Sequence, residues 1–228
     1  MILTSALRDI FRRRDVPANL PPKPPTDAAP TVLNVGGNSK QIPIPEHYAG
    51  WRHLLLDIDP TGEPDVLCDA RELLSLDAGQ FDAVYCSHNL EHYYRHDVMK
   101  VLRGFLHVLR PGGFAEVRVP DLQAVMQHVV ATGMDVEDTL YVAAGGPITV
   151  RDVIYGWGKQ IEESGVDFYA HKTGFTPAAL TAVLEQSGFA RVFIVVLAEA
   201  FEVRALAFKM EPTEAQCRLL GLATAGGG

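Results

Sequence analysis

The chain of 228 residues has the length of one α/β domain with modest appendages, and 47% apolar against 21% charged residues is the balance of a globular protein that buries its own core. Its formal charge is −8, and because residues 1–29 hold five basic and three acidic side chains, the remaining body carries about −10. Such a body repels a phosphate backbone, which excludes nucleic acid as the expected partner.

The longest strongly apolar run, Val192 to Ala198, falls far short of the roughly 20 residues of a membrane span. Charges at Arg8, Asp9 and Arg12 to Asp15 interrupt any secretory signal, so no integral membrane segment is expected. Cys68, Cys86 and Cys217 are odd in number and lack CxxC spacing, which fits small hydrophobes in a reducing compartment and a cytoplasmic location.

Residues 1–16 place Ile2, Leu3, Ala6, Leu7, Ile10 and Phe11 on one face of a short amphipathic helix. Six prolines from Pro17 to Pro30 then enforce an extended linker. The boundaries that follow are an N-terminal helix and linker over 1–30, a folded domain over 31–210 and a flexible tail over 211–228. The basic stretch Arg12-Arg13-Arg14 reads as solvated tail.

Within the domain, Thr31–Val35 is a buried strand ending in glycines, His53–Asp57 a second, Asp65–Asp69 a short third, Phe81–Cys86 a fourth and Phe114–Val119 a fifth. Between the last two, Val98, Leu102, Phe105, Leu106 and Leu109 repeat at helical spacing, with Asp97 as expected cap and Pro111-Gly112-Gly113 as the stop. A later helix takes Thr176 as cap, Pro177 at its first position and Gly188 at its end. Strands over Arg191–Leu197 and Phe201–Phe208 are too close in sequence to be anything but an antiparallel hairpin. Alternating β/α units ending in a hairpin describe an α/β, doubly wound, Rossmann-like sheet, mostly parallel with its last strand antiparallel.

Three loops beyond the carboxyl ends of the strands carry the informative residues: Gly36-Gly37-Asn38-Ser39, Asp57-Ile58 and Cys68-Asp69-Ala70. Glycines permit close approach of a ligand to the backbone, an acid about 20 residues further on suits ribose hydroxyls, and Asp69 suits an adenine amine. NAD and S-adenosylmethionine (SAM) both fit this order. NAD needs a helix N-terminus behind the glycines for its pyrophosphate, yet Pro43 and Pro45 bar one and the third glycine is absent. SAM carries no phosphate and needs no such cradle, so SAM is the expected cofactor.

The stretch Phe81-Asp-Ala-Val-Tyr-Cys-Ser-His-Asn-Leu-Glu-His92, with Leu109-Arg-Pro-Gly-Gly113 and Val119-Pro-Asp-Leu122, resembles the class I SAM-dependent methyltransferases of bacteria that act on small molecules. Trp51 to Asp69 and His171-Lys-Thr-Gly-Phe175 resemble a subgroup of predicted methyltransferases, and the likeness spans residues 31–209. It implies a seven-stranded sheet, Gly36 and Gly37 against the methionine part of SAM, and Asp57 on the ribose. It further implies Asp69 and Ala70 at the adenine, and Ser87, His88 and Leu90 in a floor beneath the sulfonium. The chain departs from that family at Asn34, where an acid is usual, at Gly36-Gly37-Asn38 in place of a fuller glycine motif, and in a shortened first connection.

Methyl transfer is an in-line displacement, so the protein orients the acceptor, excludes water and, for a hydroxyl or ammonium acceptor, removes a proton. His92, following the loop that faces the donor, is the first candidate base and His171 the second. His88, His92 and His96 would share a face only on a helix, and a loop at His88 breaks that register, so no metal is expected. Tyr155, Trp157, Phe168 and Tyr169 wall an acceptor pocket or form a satellite core, and His47 and Tyr48 are placed to close over the cofactor. The expected activity is methylation of an oxygen or nitrogen on a small biosynthetic or glycan-related acceptor. The alternative is a non-catalytic binding or scaffold protein on the same fold, and a homo-oligomer stays open.

Overall fold

A computed structural model describes residues 29–143 and 145–222. The expected N-terminal helix and proline linker, up to residue 28, and the final six residues lie outside the described residues. The sheet contains β1 (Thr31–Val35), β2 (Arg52–Asp57), β3 (Val66–Leu67), β4 (Phe81–Ser87), β5 (Leu109–Pro120), β8 (Arg191–Leu197) and β9 (Glu202–Phe208). Its order is β3-β2-β1-β4-β5-β9-β8, with β9 antiparallel to both of its neighbours. The doubly wound, seven-stranded α/β sheet with a reversed last strand is therefore as expected. β6 (Thr139–Ala143) and β7 (Gly146–Thr149) form a separate two-stranded hairpin.

Both faces are covered, which explains the near-continuous apolar strands. On one face, α1 (Arg95–Val108) and α5 (Pro177–Ser187) bury Val101, Leu102, Phe105, Leu180 and Leu184 against Leu33, Val84, Val117 and Ala205. On the other, Tyr48 and Trp51 pack with Tyr85, Phe114, Leu206 and Phe208. A third cluster of Val125, Val150 and Val153 joins α2 (Leu122–Thr132) and α3 (Val150–Tyr155) beneath the hairpin. A further short helix, α4, spans Gly158–Ser164.

Several boundaries differ from expectation for identifiable reasons. Asp97 does not cap α1, which begins at Arg95 after Tyr94; the acid sits in the first turn, where it still complements the positive end of the helix. The helix stops at Val108, and Pro111-Gly112-Gly113 belong to β5, whose register against β4 shifts between Phe81 and Ala83. β3 is only two residues long, and its flanking carboxylates serve other backbone amides, Asp65 that of Leu55 at 2.7 Å and Asp69 that of Arg71 at 2.9 Å. Thr176 caps α5 as expected, accepting from the Ala179 amide at 3.2 Å, with Pro177 behind it.

The expected tail is also corrected. Glu214–Leu219 forms α6, opened by a reciprocal Thr213–Gln216 capping box. Cys217 and Leu220 are buried beneath it, and the Gln216 side-chain amide donates to the Gly112 carbonyl at 2.7 Å, so packing continues past 210 to Leu222.

Candidate active site

The strand order reverses between β1 and β4, and in such sheets ligands bind beyond the carboxyl ends at this point. A cavity of about 340 Å³ opens there, within the usual size range for a small ligand. Gly36 and Asn38 after β1, Asp57 and Ile58 after β2, and Asp69 after β3 line one side. His88, Asn89, His92 and Tyr93 from the loop after β4 line the middle. Phe168, Tyr169 and Lys172, from the segment after α4, complete the lining.

The glycine turn is built by its neighbours. Gly36 has φ +71°, in the left-handed region, and a Cβ there would collide with the Asn89 side chain. A Cβ on Gly37 would strike the buried Asn34 amide, so the unusual asparagine at the end of β1 packs directly under the turn. Asn38 follows at φ +58°, and its amide donates to Asp57 Oδ2 at 3.0 Å. Asp57 Oδ1 accepts the Asp59 amide at 3.0 Å, leaving the carboxylate with unused acceptor positions beside the cavity. The first connection contains only the 3-10 turn Glu46–Tyr48, as its prolines dictate.

Not every residue implicated by the sequence lines the cavity. Gly37 and Ser87 stand behind it, and Ala70 and Leu90 are sealed in the core. Asp69 accepts both Nε and a terminal nitrogen of Arg71, at 2.9 and 2.6 Å, so its carboxylate reaches the cavity already paired. His47 and Tyr48 close over nothing here: both turn to the buried Glu116 on the other face, at 2.8 and 3.2 Å. Tyr155 is largely exposed and Trp157 lies outside the lining.

The histidines follow different paths. His88, at φ +49°, reaches Glu202 through Nε2 at 2.8 Å. Burial opposes its charge, but Glu202 and Glu91 outweigh this and raise its pKa to about 10. His92 has one ring nitrogen 3.1 Å from the Ala170 carbonyl oxygen and the other 3.1 Å from that of His88; a neutral ring can donate to only one. His171 donates Nδ1 to the Val153 carbonyl at 2.8 Å and meets His92 edge-on, centroids 5.0 Å apart, and burial draws its pKa below the ordinary value. His96 lies exposed on α1, apart from these.

Sequence reasoning passed over Glu91, which is 1% exposed beneath the two rings. Its backbone carbonyl accepts the amides of Lys172 and Thr173 at 2.8 and 3.2 Å, docking the His171–Phe175 stretch against the loop after β4. Glu91 sits in the 3-10 turn Leu90–His92 after β4, and no local signal in the sequence marks it as buried.

Residues 37–117 match the family model of the methyltransferase domain. No curated protein matches the sequence. Among solved structures, a candidate O-methyltransferase from Nostoc punctiforme PCC 73102 is 13% identical over 80% of this chain and 52% of its own, at a TM-score of 0.52. An O-methyltransferase family protein from Burkholderia thailandensis is 11% identical over 82% and 52%, at 0.50. A SAM-dependent methyltransferase from Archaeoglobus fulgidus is 17% identical over 79% and 86%, at 0.49. The family match spans the loops after β1, β2 and β4, and the solved structures share the fold, so residues 37–117 resemble a methyltransferase domain on a methyltransferase-like α/β sheet.

Proposed function

We propose that this enzyme methylates an oxygen or nitrogen of a small-molecule acceptor bound beside the donor in the cavity after β1, β2 and β4. The observation that carries the reading is the convergence of Gly36, Asp57 and Asp69 with His92, Phe168 and Tyr169 on one cavity. Donor-holding and acceptor-holding groups thus share one small space. Bound SAM supplies a methyl group already activated by a sulfonium.

In this reading Asp57, with Ile58 beside it, holds the ribose hydroxyls, and the bare Gly36 backbone and Asn38 flank the methionine part. Asp69, oriented by Arg71, stands at the adenine, with Ala70, Ser87 and Leu90 supporting the floor from behind. His88 and Asn89 shape the surface beneath the reacting carbon. His92 and His171, with Glu91, form the polar group at the acceptor side and hold or receive the acceptor's proton. Phe168 and Tyr169 exclude water. A small acceptor fits both the size of the cavity and the acid-rich rim of Asp59, Asp97 and Asp167, which disfavours polyanions. Among the described residues no helix is long and apolar enough to cross a membrane.

Calorimetric titration with SAM tests the cofactor half of this assignment: binding that weakens in Asp57→Ala is expected, and no binding at millimolar SAM would overturn it. Mass spectrometry of small hydroxyl and amine acceptors incubated with enzyme and SAM tests the other half. Methylation confined to a polypeptide or nucleic acid would refute the small-molecule assignment.

A further inference from the structure

Glu91 presents a problem of buried charge. Its side chain is 1% exposed, and neither carboxylate oxygen meets a hydrogen-bond donor. The nearest nitrogens are His88 Nδ1 at 3.5 Å and His171 Nε2 at 3.9 Å. Most buried carboxylates are paired and hydrogen-bonded, because an uncompensated one costs several kcal/mol. The nearest cationic group, His88, is hydrogen-bonded to Glu202 at 2.8 Å and only in ion-pair range of Glu91, which leaves Glu91 without a hydrogen-bonded partner.

Three potential metal ligands meet at this point. One ligand atom each from Glu91, His92 and His171 lies within 4.8 Å of the others. Tetrahedral bonds of about 2.1 Å set ligands roughly 3.4 Å apart, so the three groups need only draw slightly together. His171 already donates its Nδ1 hydrogen to the Val153 carbonyl at 2.8 Å, the outer contact that fixes a ligating imidazole and leaves Nε2 free. His92 has the same kind of support from the Ala170 and His88 carbonyls, one of which faces a bare nitrogen whenever the ring is neutral. A metal bond at His92 therefore replaces one of these two contacts, the ring turning that nitrogen away from its carbonyl. Two imidazoles and one carboxylate, with a fourth position unfilled by protein, is the donor set of zinc-like catalytic ions.

We propose that Glu91, His92 and His171 bind a divalent transition metal of the zinc class at the acceptor side of the cavity, and that the acceptor is a hydroxyl compound whose oxygen takes the fourth position. His92 is the link, since it belongs both to this triad and to the cavity wall. The ion would lower the pKa of a hydroxyl bound to it, whose proton would pass to solvent water, so His92, His171 and Glu91 act as ligands in place of the proton-holding role given above. The role rests on the small-acceptor reading above and narrows it from oxygen or nitrogen to oxygen; the metal site itself stands on the triad alone.

The test uses the full chain, stripped with a chelator and titrated with Co2+, whose visible absorption reports coordination, and then with Zn2+ in competition. One equivalent of Co2+ with the intense visible bands of a four-coordinate ion is expected, and Zn2+ displaces it. Affinity falls at least ~100-fold in Glu91→Gln and in His171→Asn, while His96→Ala binds normally. Failure of the folded wild-type chain to bind either ion overturns the proposal, even if SAM binds, and leaves Glu91 as the partner of His88. Binding that survives both variants, with circular dichroism unchanged, overturns it equally. Loss of SAM binding with Co2+ binding intact refutes the cofactor assignment instead.

Discussion

Asp57 closes the loop that follows β1: its Oδ2 accepts the Asn38 amide at 3.0 Å, across 19 residues of sequence. That bond helps hold Asn38 in a left-handed conformation beside the cavity. A carboxylate offers about four acceptor positions, and two are used here, so ribose hydroxyls can share the same side chain. Asp57→Ala removes both functions and should weaken SAM binding by about 10- to 100-fold, the value of one or two charge-assisted hydrogen bonds. Asp57→Asn keeps one acceptor oxygen and should fall between. Calorimetry on the two variants checks this; equal affinity in all three proteins would remove Asp57 from the site.

Gly36 tests whether the turn is set by backbone or by packing. An L side chain at φ +71° costs about 1–2 kcal/mol, and a Cβ also collides with Asn89. Gly36→Ala should therefore lower Tm by about 2–8 °C for a domain of this size. Combining it with Asn89→Ala removes the collision but not the strained φ, so the double variant should recover only part of the loss. Full recovery in thermal denaturation would assign the whole cost to packing.

Phe168 and Tyr169 lie half-buried in the cavity wall, outside the three core clusters. Phe168→Ala should therefore separate binding from stability. Loss of a half-buried ring is worth about 1–2 kcal/mol, or roughly a 5- to 30-fold weaker SAM complex, while Tm moves by less than about 2 °C. A large fall in Tm with unchanged SAM affinity would make the segment a core element rather than a wall.

The strands after which the cavity opens were legible because parallel strands covered on both faces read as apolar runs, and because Pro43 and Pro45 forbid a helix whatever the rest of the chain does. Asp57 was legible because its spacing from Gly36 is fixed by a single crossover. Glu91 was not: nothing local marks a glutamate as buried, and its burial follows from docking of residues 171–175, some 80 positions away. His47 and Tyr48 were misplaced for a related reason. A 3-10 turn replaces the usual helix, and it swings both side chains to a carboxylate on β5 that no local pattern announces. The hairpin β6–β7 went unread because its short strands, with no fully buried residue, carry weak alternation.

That carboxylate, Glu116, should contribute to stability in a pH-dependent way. It is fully buried, and although burial alone would raise its pKa, the His47 hydrogen bond with Arg204 and Arg118 lowers it from 4.5 to about 2. Because the folded value is the depressed one, the contribution is complete above the unfolded pKa and disappears as pH falls from about 4.5 to 2. The shift corresponds to roughly 3 kcal/mol. Urea unfolding at stepwise lower pH should show stability decreasing through that window. Glu116→Gln strips Arg118 and Arg204 of their charge partner, so it should lose about 3 kcal/mol at pH 7 and show a flatter profile below pH 4.5. Parallel acid profiles for the two proteins would mean that other carboxylates, not Glu116, set the acid limit. The cavity lies elsewhere, so SAM affinity of the variant at pH 7 should be unchanged as long as the protein remains folded.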